Sequence, residues 1–267
     1  MTQEEEKALE ILAARQMEAH PRDRVIPFWH EGKKYWIKKK QGNGRNRWAK
    51  APESAQFYYE AAHIMMAARL VPHVPEMVLF TEDCMVLRDS GYTVGEILFS
   101  KGPEEEKKRI LRAAGAALCA IHEAGLAHGR PALRDMTWNG KKIVFLDWEN
   151  RPFFKDLRRR QSADVILFFH SMYREPWMHE SWARAAWEGY AAAGGTDMLE
   201  EACRFLAAHA FLEKICAVLH PFRFKDLEAL LHVYRWLPRQ SASASAPSCS
   251  AGEDVVNDRA GQGASGV

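Results

Sequence analysis

Between Ile121 and Glu149 the chain reads IHEAGLAHGRPALRDMTWNGKKIVFLDWE, and this stretch limits the fold more than any other. A helix ends at Gly125, a residue suited to a helix C-terminus. A polar loop follows with His128, Arg130 and Asp135, and a short apolar strand then delivers Asp147. Two carboxylates, Asp135 and Asp147, are thereby expected at the two ends of a small hairpin. Paired carboxylates so placed suit a divalent cation that carries phosphates. An aspartate closing a Val-Phe-Leu strand has little structural reason to be there, whereas strand ends facing a cleft are where sites form.

The flanking sequence predicts an α+β chain. Residues 2–19 have apolar positions at helical spacing up to Pro21. RVIPFWHEGKKYWIKKK holds two aromatic-rich runs around Glu31–Gly32–Lys33, the pattern of a hairpin. Alternation puts Trp36 and Lys38 on one face of the second strand and Tyr35, Ile37 and Lys39 on the other. A helix over 53–69 has Glu60 close to its apolar face, where a carboxylate needs a partner. Strands are expected at Met77–Phe80 and Cys84–Leu87, then a short helix at Thr93–Phe99. Pro103 and Glu104–Glu106 start a helix that runs to about Ala124. A helix after the basic segment at 155–160 and three more over 180–193, 196–219 and 224–236 complete the pattern. The expected organisation is an N-terminal sheet-plus-helix lobe over 1–91 and a larger helical lobe over 92–238. A disordered tail over 239–267 follows, rich in Ser, Ala and Gly.

Composition excludes several classes. A net charge of +2 gives no general affinity for nucleic acid. The five cysteines (Cys84, Cys119, Cys203, Cys216 and Cys249) form no CxxC pair, which argues against a disulfide framework or a zinc site and fits a reducing cytosol. The acidic start MTQEEEKALEIL lacks the basic and apolar regions of a signal peptide. Apolar runs such as Val165–Phe169 are too short to span a bilayer. A cytoplasmic protein is expected, with one local exception to its even charge. Lys33 to Lys50 holds eight basic residues and no acidic one. That run is either a solvated loop or a landing site for phosphates or an anionic membrane surface.

Taken in order, these motifs resemble the protein-kinase-like superfamily. Lys38 in YWIK resembles the strand lysine that contacts ATP phosphates, and Glu60 resembles its helix partner. MVLRDSG resembles the strand and hinge between lobes, which implies Asp89 at the nucleotide. LDWE resembles the D-F-G element, with Asp147 as its metal-binding aspartate. The catalytic loop H-R-D-x-x-x-x-N admits two registers. His122, Gly125 and His128 match the offsets that lead to the motif histidine, which puts Arg130 at the position of the base and Asp135 at that of the metal-binding asparagine. The other register takes Arg134–Asp135 as the R-D pair and Asn139 as the ligand. The helix offsets favour the first.

The resemblance covers roughly residues 24–175. Within the superfamily, the compact chain, the missing glycine-rich strand-turn-strand, HGRPALRD and RRRQSADVILFF resemble the bacterial lipopolysaccharide core kinases, which phosphorylate Kdo or heptose. It implies ATP and Mg2+ as cofactors, with Lys38 on the α/β-phosphates, Glu60 aiming it, and Asp135 and Asp147 on the metal. Arg130 would neutralise charge on the transferred group or hold an acidic group of the acceptor. His128 would brace the loop or share in catalysis. Asp164 would cap its helix or hydrogen-bond the catalytic-loop backbone. The implied partner is the lipopolysaccharide core or another hydroxyl-bearing acceptor, reached at the inner face of the inner membrane. Rival expectations are an atypical protein or small-molecule kinase, and a pseudokinase scaffold.

Overall fold

The computed structural model describes residues 3–40, 53–149, 154–219 and 224–245. Residues 41–52, which contain most of the glycine-rich basic run, and the tail beyond 245 lie outside the described residues.

The N-terminal part is a four-stranded antiparallel sheet in the order β1-β2-β4-β3 (β1, Val25–His30; β2, Lys33–Lys39; β3, Met77–Phe80; β4, Cys84–Arg88). Its two faces have different tasks. Ile26, Phe28, Tyr35, Ile37 and Val86 bury one face under Leu9 and Ala13 of α1 (Gln3–Ala19). The opposite face carries Trp36 and Lys38, as alternation predicts, and looks onto α2 (Glu53–Ala67) and the cleft below. The turn at Glu31–Gly32 is tight, both residues having positive φ (49° and 72°).

A second, three-stranded sheet carries the site. It is built from β5 (Tyr92–Thr93), β6 (Met136–Trp138) and β7 (Ile143–Phe145) in that order. The β6–β7 hairpin is the one anticipated between the two aspartates. Its turn is closed by Asn139, whose Oδ1 accepts the N–H groups of Lys141 and Lys142, both at 3.0 Å. Asn139 is therefore a turn residue at the solvent end of the hairpin, and the register that made it a metal ligand is set aside. β5 leads into α3 (Val94–Phe99), whose start is fixed by a capping box between Thr93 and Glu96.

The remainder is helical: α4 (Glu104–Glu123), α5 (Leu157–Tyr173), α6 (Glu180–Tyr190), α7 (Thr196–Ala208), α8 (Ala210–Leu219) and α9 (Lys225–Ser245). This mixed α+β architecture, a small antiparallel sheet lobe over a larger helical one, is the class the sequence predicts. Two boundaries differ. The helix expected over 196–219 breaks at His209, whose carbonyl accepts the Tyr234 hydroxyl at 2.9 Å while its Nδ1 takes the Phe205 carbonyl at 2.7 Å. Residues 239–245, expected in the tail, continue α9, and the rest of the expected tail lies outside the described residues. Adding alanine and serine residues to a helix already packed needs no new nucleation.

Helices α4 and α6 cross at reciprocal glycines. A Cβ on Gly115 would lie 2.0 Å from the Ala186 carbonyl oxygen, and one on Gly189 would lie 2.0 Å from that of Arg112. Neither neighbour is a side chain that can turn aside. Gly189→Ala is expected to lower unfolding stability by about 3 kcal/mol, the upper range for overpacking. Urea denaturation measures this, and a shift within error would mean that the two helices separate at little cost.

Candidate active site

The site begins with the catalytic-loop segment between α4 and β6. Asp164, from the middle of α5 and 1% exposed, accepts the backbone N–H groups of His128 at 2.6 Å and Gly129 at 2.8 Å. It thus pins the loop from beneath and is no helix cap, which selects the loop-bonding alternative. His122 adds its Nε2 to the same carboxylate at 3.4 Å and meets the Tyr190 hydroxyl through Nδ1. Gln161 donates to the carbonyls of His122 and Leu126, closing off the α4 C-terminus.

His128 ties this loop to the strand that delivers Asp147. Its Nε2 donates to the Leu146 carbonyl at 2.7 Å, because a carbonyl can only accept. The ring also meets Trp148 edge-on at 5.0 Å. Burial pushes the imidazole below its usual range, so it is neutral. Of the two roles expected of His128, this bond favours the brace, with its proton committed to the backbone.

The hairpin base brings the carboxylates together. Leu146 N–H donates to the Asp135 carbonyl at 2.6 Å, so Asp147 lies one residue beyond a direct pairing with Asp135. Both aspartates line one cleft of about 440 Å³, whose roof supplies Trp36 and Lys38 and whose rear wall supplies Glu60. Asp147 adopts a left-handed backbone (φ 58°), a conformation costly for most residues and better tolerated by aspartate. Such a departure marks positions where aim outweighs comfort.

Lys38 Nζ stands at the centre. It donates to Glu60 Oε1 at 2.6 Å and to Asp147 Oδ1 at 3.0 Å, and Glu149 Oε2 lies 3.8 Å away. The pair of Lys38 and Glu60 is deeply buried, at 7% and 2% exposure. Burial pulls the Lys38 ammonium down, but Glu60 and then Asp147 outweigh it and hold it above its ordinary value. Burial pushes Glu60 up by more than Lys38 lowers it. For Asp147 burial acts upward too, yet Lys38 prevails and the carboxyl sits below the usual range. Asp135 goes the other way: burial and then the Asp147 charge raise it, against weaker help from Arg134 and Arg130.

Asp135 Oδ2 is buried without a hydrogen-bond partner. Arg130 approaches it only to 3.8 Å, and Arg134 Nε is 3.5 Å from Oδ1. Glu60, Asp135 and Asp147 thus line one cleft with the buried Lys38, and Glu149 stands 3.8 Å from the Lys38 ammonium. This donor set fits a hard cation with oxygen ligands. Among the described residues no group of three or more His, Cys, Asp or Glu is arranged to hold a metal by itself. Magnesium needs only one or two carboxylates when phosphates and water complete its shell.

One placement departs from expectation. Asp89, expected at the nucleotide, uses both oxygens structurally. Oδ1 accepts Trp36 Nε1–H at 2.7 Å with Lys34 Nζ at 3.3 Å, and Oδ2 accepts Gly91 N–H at 3.1 Å. It locks the hinge to β2, and its neighbours Ser90 and Gly91 line the cleft in its place. Arg130 occupies the position of a base, but a guanidinium has no acceptor atom and cannot take a proton. Sequence reasoning missed Glu149 and Arg24, whose Nη2 donates to Glu149 Oε2 at 2.8 Å. Glu149 carried a signal, a third acidic atom pair two residues after Asp147. Arg24, 125 positions away in sequence, carried none.

No family model matches the chain. A Haemophilus influenzae protein, described only as uncharacterized, is 34% identical over 159 residues, covering 58% of this chain and 65% of its own length. The match thus spans under two thirds of that relative. A probable serine/threonine-protein kinase, a BUD32 homolog of Archaeoglobus fulgidus, is 26% identical over 161 residues, covering 58% of this chain and 76% of its own. Among solved structures, the apoenzyme of macrolide 2′-phosphotransferase MphH from Brachybacterium faecium aligns over 85% of this chain and 97% of its own, at TM-score 0.44 and 15% identity. Among the described residues no helix is long and apolar enough to cross a membrane.

Proposed function

We propose that the chain is an ATP-dependent phosphotransferase whose acceptor is a hydroxyl of a lipopolysaccharide inner-core sugar. The observation that carries phosphotransfer is the buried Lys38–Glu60 pair facing Asp135 and Asp147 across one cleft. The likeness to the archaeal kinase homolog supports it. The sugar acceptor rests on the resemblance of HGRPALRD and RRRQSADVILFF alone, and the anionic surface on the basic run from Lys33 to Lys50.

In this reading Glu60 holds Lys38 extended toward the α/β-phosphates by a charge-assisted bond. Asp147 and Asp135 would hold magnesium, which would supply positive charge to the phosphates. Trp36 and Leu87 offer apolar surface to the base. Arg130 sits where the acceptor would meet the transferred group and offsets the negative charge there. The want of a carboxylate at that position is tolerable, since general-base help is worth about 10²–10⁴-fold and the loose transition state relies on positioning and charge.

The test is a thermal melt with and without ATP and magnesium, followed by labelled ATP with a lipid A–core acceptor against a protein acceptor. Magnesium-ATP at about 100 Kd is expected to add roughly 2.7 kcal/mol of stability, and label should enter the glycolipid. Label in protein alone would reassign the acceptor. Binding without transfer would favour the pseudokinase scaffold that Arg130 keeps open. No stabilisation would end the nucleotide reading.

A further inference from the structure

Among the described residues no glycine-rich turn joins β1 and β2. Such a loop offers backbone N–H donors over the phosphates of a nucleotide. Here the β1–β2 connection is the tight turn at Glu31–Gly32, which is short and acidic. Register also puts it at the wrong end of the sheet. Val25 pairs with Lys38 and His30 with Lys33, so the turn lies five residues along β2, about 16 Å from Lys38. What lies beside Lys38 is the start of β1, and there the side chain available is Arg24.

Arg24 is well placed for the task. Its carbonyl accepts Lys39 N–H at 2.9 Å, so its backbone is an extension of the ladder. Its side chain is 43% exposed and pairs with Glu149 at 2.8 Å. That carboxylate in turn stands 3.8 Å from Lys38 Nζ. Arg24, Glu149 and Lys38 form a chain of charges that ends on the cleft lysine. Glu149 there resembles the ligand in chemistry: an anion shared between a guanidinium and an ammonium. A guanidinium prefers a phosphate, to which it offers two parallel N–H groups.

We propose that Arg24 is a phosphate-binding arginine which exchanges Glu149 for the terminal phosphates of a bound nucleoside triphosphate. The inference rests on the nucleotide reading above. It adds a residue outside the kinase-like motifs and assigns Glu149 the role of its stand-in anion.

Calorimetric titration of the full chain with magnesium-ATP and with AMP tests it. Arg24→Ala is expected to weaken ATP about tenfold or more, the loss of a hydrogen-bonded charge pair, with AMP affinity unchanged. Arg24→Lys should recover part of the loss. Glu149→Gln removes the competing anion and should tighten ATP about threefold, as a weakened rival for one charge-assisted contact. Equal losses for ATP and AMP, or none for either, would overturn the role of Arg24 while leaving the nucleotide reading intact. So would weaker ATP binding by Glu149→Gln. Wild-type protein that binds neither nucleotide would overturn the nucleotide reading, and this inference with it.

Discussion

Asp147→Asn is expected to lower phosphoryl transfer by about 10³-fold, the upper range for losing one preorganised electrostatic group. Asparagine keeps the size and tolerates the left-handed backbone that Asp147 adopts at φ 58°. What it loses is the charge that binds metal and accepts from Lys38 at 3.0 Å. The magnesium-ATP thermal shift should shrink with it, while AMP without metal binds as before. Burial raises the carboxyl, but Lys38 together with Arg24 and Arg130 holds it below its ordinary range. A depressed carboxylate gives stability above its unfolded pKa, near 4, that is lost as pH falls through the lower folded value. Asp147→Asn therefore removes some stability at neutral pH and less in strong acid. Transfer within about tenfold of wild type, against the hundredfold or more expected of such a group, would exclude Asp147 from the metal site.

The second large effect is on stability. Lys38→Met is expected to destabilise the fold by about 3–5 kcal/mol, because it leaves Glu60 buried and uncompensated. Lys38 and Glu60 are bonded at 2.6 Å where neither meets much solvent. Their removal together, as Lys38→Met with Glu60→Leu, should restore most of the loss, since a buried ion pair and an apolar pair of similar volume are nearly equivalent. The pH dependence has a fixed sign. Burial already raises Glu60, and without Lys38 it rises further. A group with a raised folded pKa gives stability that is full below its unfolded pKa and lost as pH rises through the folded one. The Lys38→Met defect should hence be smaller at pH 5 than at pH 8. Guanidinium denaturation at the two pH values measures it, and a pH-independent loss would mean that Glu60 finds another partner.

What separates these two residues from Asp89 is how each was legible. Alternation separated Lys38 from Lys39 but not from Lys40; the resemblance of YWIK to the kinase strand chose Lys38, and the sheet puts it on the cleft face. Glu60 was readable because a carboxylate near an apolar helical stripe must be paired. Asp89 sat at a hinge position by motif, but the indole of Trp36 and the N–H of Gly91 claim its oxygens, and neither partner is local to a strand-reading rule. His128 is similar: its position in the motif was plain, yet its proton is taken by Leu146, 18 residues on. The break at His209 likewise depends on a hydroxyl from Tyr234, which no helical periodicity records.

By itself the sequence determined the order of elements, the two-sided β2, the hairpin and the two aspartates at its base. These follow from periodicities of two and 3.6 and from short-range turn chemistry, which act within a few residues of chain. The helix offsets already favoured one register of the loop, and tertiary structure supports it by closing Asn139 into a turn and aligning Asp135 with Leu146. It also decided that Glu149 and Arg24 join Lys38. Charges interact through space with no regard for sequence separation, so a contact between positions 24 and 149 leaves no pattern in the chain until the chain is folded.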